Sequence, residues 1–125
     1  HLLVNKLNYK YLINIFFKRG LLSKYNILEE IIMKDYMVEH KFKSEEMRDQ
    51  YFEMSASMTE DDIRSNMKNE NASFQINWNN EKNDMVMYCW WKANSPEAII
   101  ETLGEMANMF DNDIKEMPNV MNVSD

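Results

Sequence analysis

His40 is the single histidine between Met33 and Asp125, and it lies near the end of a short run, Asp35–Lys43, that reads D-Y-M-V-E-H-K-F-K. An imidazole titrates near neutrality, so His40 could act as a general acid or base or hold the polar end of a ligand. It could equally be a structural histidine at a strand end. Metal binding needs more than one ligand. With no second histidine or cysteine nearby in sequence, Glu39, Glu101 or Glu105 would have to complete the set. No metal site is therefore assigned. No Gly-rich phosphate loop and no Ser/His/Asp signature occurs, so no cofactor is expected.

The other chemistry-bearing residues are aromatic, amide and thiol. Trp78, Tyr88, Trp90 and Trp91 fall on neighbouring strand-like segments, so several must be neighbours. Those facing helices are core; those facing the opposite side would form flat apolar walls. Gln75 and Asn77 share the polar parity of their segment. They read either as hydrogen-bonding groups for a ligand or as the wet face of an edge strand. Cys89 has no base beside it and reads as a small buried hydrophobe. Met47, Met54 and Met58 read as core filler. The expected ligand-binding set is Tyr36, His40, Gln75, Asn77, Tyr88 and Trp90, with His40 as the one catalytic candidate.

These residues need elements to position them. Asp35–Lys43 alternates roughly with period two and predicts a first strand. Ser44 followed by Glu45 and Glu46 is a helix start, and Met47, Tyr51, Met54 and Met58 then mark one apolar face. Thr59 before Glu60, Asp61 and Asp62 starts a short second helix, with Ile63 and Met67 inward. Ala72–Trp78 alternates cleanly, which predicts a strand with Ala72, Phe74, Ile76 and Trp78 on one face. Asn79–Asn83 is a hairpin loop. Asp84–Ala93 is apolar on both parities, the pattern of a central strand covered on both sides. Ser95-Pro96-Glu97 opens another helix, whose broad face is Ile99, Ile100, Leu103, Met106, Ala107 and Phe110. A last strand is expected at Asp111–Met117 and a tail at Pro118–Asp125.

The expected fold is α+β, a ferredoxin-like β-α-β-β-α-β order with both helices on one face of an antiparallel sheet. The other face would be bare. Yet the third strand is apolar on both faces, with Met87, Cys89 and Trp91 one way and Val86, Tyr88 and Trp90 the other, and the sequence does not say which set faces the helices. A monomer rarely keeps such a patch, and a second copy of the same sheet is the economical cover. On these residues the chain resembles the dimeric α+β barrel superfamily over roughly Met37 to Met117. M-V-E-H at Met37–His40 is similar to the first-strand segment of its small nickel-binding-type proteins. Y-C-W-W-K-A-N-S-P-E-A-I at Tyr88–Ile99 is similar to their strand-to-helix junction. Their second-helix histidines have no counterpart here, where the helix reads E-T-L-G-E-M-A-N-M. The resemblance implies a homodimer enclosing a pocket. The superfamily also holds cofactor-independent quinol monooxygenases and muconolactone-type isomerases, so it implies no single reaction. The expectation is a binding protein for a small, mainly apolar or amphipathic molecule in the barrel. The alternatives are a cofactor-independent monooxygenase or isomerase using His40, and a metal-binding protein.

Composition sets the outer bounds. The 125 residues are one domain's worth, and 45% apolar content is enough for a core. One cysteine excludes an internal disulfide framework and suits a reduced, cytoplasmic setting. Residues 1–33 carry five basic and two acidic side chains against a chain total of −7, so the remainder carries −10. That charge repels phosphate, and no nucleic-acid partner is expected. Residues 1–32 are read apart from a domain at 33–125. They are expected to be upstream read-through before Met33, a helical extension, or a basic amphipathic segment on a membrane surface. No apolar run there is long enough for a transmembrane segment.

Overall fold

The computed structural model describes residues 32–125, and the expectations for residues 1–31 lie outside the described residues. Strand β1 is Lys34–Phe42. It gives way to helix α1, Glu45–Ala56, where the Ser44 hydroxyl accepts from the Met47 amide at 3.1 Å. Helix α2, Glu60–Asn66, begins with a reciprocal capping box between Thr59 and Asp62. Hydrogen bonding to the Asp62 carboxyl, from the Thr59 backbone N–H first and the Thr59 side chain second, holds it below its ordinary pKa. Strands β2, Ala72–Trp78, and β3, Val86–Ala93, form a hairpin. Helix α3, Pro96–Leu103, has Ser95 as its cap and Pro96 in its first turn. It ends where Gly104 takes φ of +61°, and a 3-10 turn, Gly104–Met109, leads into β4, Phe110–Glu116.

The molecule is therefore α+β, with three helices and a four-stranded antiparallel sheet in the order β2-β3-β1-β4. Helix α2 is an addition to a strict β-α-β-β-α-β order. Strand β3 is central, as its doubly apolar pattern requires, and β2 and β4 are edges. The segment Met33–Asp125 is a compact unit by itself. No helix among the described residues is long and apolar enough to cross a membrane.

One sheet face carries the core. Tyr36, Val38, His40 and Phe42 of β1 alternate inward, beside Met87, Cys89, Trp91 and Ala93 of β3. Ala98, Ile99 and Leu103 of α3, with Ala107, close over the Trp91 end. Tyr51 and Phe52 of α1 pack on Phe42, Met87 and Phe110 at the other end. Helix α1 has no fully buried residue, and Met54 is 45% exposed. Met47 and, beyond the helix, Met58 are only half-buried, so the three methionines Met47, Met54 and Met58 are not the core filler that their spacing suggests.

The clean alternation of β2 does not survive in space. Phe74 pairs with Trp91, but the next paired residue, opposite Trp90, is Ile76, and Gln75 is one extra residue in the strand. A bulge of this kind reverses the facing of everything after it. Ala72 and Phe74 face the helices. Ile76 and Trp78 instead join Trp90 and Tyr88 on the opposite face, where Ile76 is 41%, Trp78 47% and Tyr88 46% exposed. The expected single apolar face of β2 is thus split in two.

Candidate functional site

Between the core face of the sheet and helices α1 and α2 lies a cavity of about 470 Å³. Its walls are mostly apolar: Met54 and Met58, Ile63 and Met67, and Phe74, Met87 and Met106 among them. The exposed side chains of Glu60, Arg64 and Lys68 stand at its rim. Arg64 is engaged there by Asp61 at 3.1 Å and Glu60 at 3.6 Å.

The polar features of the wall come from strands. His40 is buried, the single sealed polar side chain among the described residues. Its ring leans on Phe110, with centroids 4.9 Å apart. Asn112 sits opposite His40 in the β1–β4 register, and its Oδ1 lies 2.6 Å from His40 Nδ1. The Asn112 Nδ2 in turn donates to the Ala107 carbonyl at 3.0 Å. Burial pushes the His40 pKa below its ordinary value, and the Asn112 bond only partly opposes this. The ring is therefore neutral at pH 7.

Asn77 and Cys89 are also direct partners across the hairpin, and Asn77 Nδ2 donates to Cys89 Sγ at 3.0 Å. Burial lifts the Cys89 thiol to about 11, so it is a thiol and not a thiolate nucleophile near neutrality. Burial, and then the nearby Cys89, lift the Tyr51 phenol to about 12. Trp91 is fully buried in the same wall, and its Nε1 is the one sealed side-chain polar atom without a partner among the described residues.

The six residues expected to bind a ligand do not share a site. His40 and Asn77 come together on the cavity wall, and Gln75 borders it with its amide turned back onto Ser73, 3.0 Å from the hydroxyl. Gln75 and Asn77 were expected on one face as alternating neighbours, but the bulge at Gln75 breaks that parity. Tyr36 is buried on the core face, where burial raises its pKa, and it lies outside the cavity wall. Tyr88 and Trp90 are on the opposite sheet face. Trp90 Nε1 donates to Asp35 at 2.9 Å, and the Lys92 ammonium lies 5.8 Å from its ring centroid.

Glu39 precedes His40 on the strand and so points to the other face. No group of three or more His, Cys, Asp or Glu side chains placed to hold a metal occurs among the described residues. Asn112 was not singled out in the sequence. The β1–β4 register places it beside His40, and that register follows only once β4 is known to return along β1. No family model, curated protein or solved structure matches this chain.

Proposed function

We propose that this chain binds a small, mainly apolar or amphipathic molecule in the cavity between the sheet and helices α1 and α2. The observation that carries the reading is the cavity itself: about 470 Å³, apolar on most sides, with one buried neutral imidazole in its wall. Small-molecule sites have this size and this composition, many apolar contacts and a few placed polar groups. Packing alone gives a small domain no reason to leave apolar side chains around a cleft open to solvent, because apolar surface left in water is stability not gained. The acidic charge of the domain disfavours polyanions as ligands.

We further propose that two copies pair through their open sheet faces, in the manner of the dimeric α+β barrels that the chain resembles. Ile76, Trp78, Tyr88 and Trp90 support this, since together they leave an apolar patch that a second sheet would cover. A reduced intracellular setting goes with the free Cys89. A cofactor-independent oxidation or isomerisation is the second reading, favoured by His40, whose neutral ring in an apolar wall suits proton abstraction.

The methionines provide the test. Met54, Met58, Met67, Met87 and Met106 line the cavity, whereas Met37 pairs with Trp90 on the open face. In protein labelled at the methionine methyls, titration with 1-naphthol should shift the five cavity signals saturably and leave Met37 in place. Shifts confined to Met37, or none at all, would sink the cavity reading.

A further inference from the structure

We infer that the molecule taken by this cavity carries a hydroxyl or equivalent hydrogen-bond donor on its apolar frame, and that this donor meets His40 Nε2. The inference rests on the binding reading above and specifies the chemistry of the ligand. It follows from a chain of obligatory donors and acceptors. The Ala107 carbonyl can only accept, so the Asn112 atom 3.0 Å from it must be the amide nitrogen. That orientation turns Oδ1 toward His40, 2.6 Å from Nδ1. An amide oxygen can only accept, so Nδ1 must carry the proton. A neutral imidazole has one N–H, and Nε2 is left as a bare acceptor.

Nε2 has no partner among the described residues. His40 lines the cavity and Asn112 takes its Nδ1 edge, which leaves Nε2 as the ring nitrogen available to a molecule bound there. Burial keeps the ring from gaining the second proton that would make Nε2 a donor. A carboxylate, ketone or ether placed there would set lone pair against lone pair. An alcohol or phenol supplies the missing proton. A buried acceptor also rejects the analogue that lacks the donor, since its desolvation then goes uncompensated. Asn112 is a positioning residue in this scheme: it touches His40 and fixes which nitrogen faces the ligand.

Three probes of one shape separate the possibilities: 1-naphthol, 1-methoxynaphthalene and 1-methylnaphthalene. Each is titrated into the full chain with the cavity methionine methyls as readout. 1-Naphthol should bind about tenfold or more tightly than 1-methoxynaphthalene. His40→Gln, whose amide can turn either end to the ligand, should narrow that gap. If His40→Gln does not fold, Asn112→Leu serves instead, because it frees the tautomer and should narrow the gap likewise. Ring nitrogen-15 spectra of the unaltered chain should show His40 protonated at Nδ1 and bare at Nε2, a readout that requires no variant. Equal affinity of all three probes, with the cavity methyls shifting, would overturn the inference and leave the binding reading standing. Protonation at Nε2 would overturn it as well. Binding by none of the three would overturn the cavity reading and this inference with it.

Discussion

At the scale of single residues, two tryptophans show how facing decides energy. Trp91 is fully buried between strands and helices, with the Phe74 ring edge-on at 5.5 Å, while Trp78 is 47% exposed beyond the bulge. Trp91→Ala should cost about 3–5 kcal/mol in urea unfolding. Trp78→Ala should cost less than about 1 kcal/mol in dilute, unpaired protein. Comparable losses for the two would show that Trp78 is buried after all. His40 makes a second residue-level prediction. Its folded pKa lies below the ordinary 6.5, so the unfolded chain takes up a proton first as pH falls. The neutral buried ring costs nothing on this account above 6.5. Its contribution is lost as pH drops from 6.5 toward the lowered folded value. Thermal melts from about pH 7.5 down to about pH 5.5 should therefore show the native chain losing ground to His40→Gln. A constant difference across that range would mean that the ring is not buried neutral.

At the scale of elements, the bulge in β2 has the most consequence. Because Ile76 already pairs with Trp90 directly after Phe74 pairs with Trp91, removing Gln75 leaves a regular strand with the same partners. Removing Ser73, which is paired with Lys92, forces either a slip in register or a reversal of Ala72, which is fully buried. The Gln75 deletion should thus fold and melt well above the Ser73 deletion. The reverse order would show that the extra residue is not at Gln75. The helices matter in a different way. Ser44, Thr59 and Ser95 each cap a helix start through a local bond, so these helices begin where they do irrespective of packing. Helix α1 then lies over the sheet with its Tyr51 and Met54 side chains on the cavity and none fully buried. The stripe of apolar residues marked the inward face, but could not show that the face meets a space.

At the scale of the whole molecule, the open sheet face is divided. Its apolar part runs over β2, β3 and Met37 of β1, and its charged part lies over β4, where Lys115 and Asp113 are 3.2 Å apart. Pairing through the apolar part should bury at least about 800 Å² per copy, the size of a stable interface. Light scattering at micromolar concentration should then give twice the chain's mass. Trp78→Glu with Tyr88→Glu should return it to the monomer, since Tyr88 stands opposite Glu39 and new acids would add repulsion there. A monomeric native chain would rule out the sheet-to-sheet dimer without touching the cavity.

What the sequence by itself determined was the element order, the caps and the central place of β3. Each rests on short-range chemistry: a hydroxyl three residues from an amide, a strand apolar on both parities. The end of α3 was not legible, since the apolar face expected to run on to Phe110 stops at Leu103, where Gly104 turns left-handed and Phe110 opens β4. The existence of β2 was legible, since Ala72–Trp78 spans the strand to the residue. Its facing was not. Alternating side chains say which residues share a parity, and one unpaired residue reverses that parity without altering the pattern. Only pairing with β3 revealed that Gln75 is the extra one, and with it that Asn77 turns toward Cys89 and Trp78 away from the core. The site was legible to the same depth. His40 stood out as a chemical type. Its neutral state, its partner Asn112 seventy-two residues away and the cavity beside it come from burial and from a pairing between the two ends of the domain. Those are properties of space between elements, and tertiary packing alone decides them.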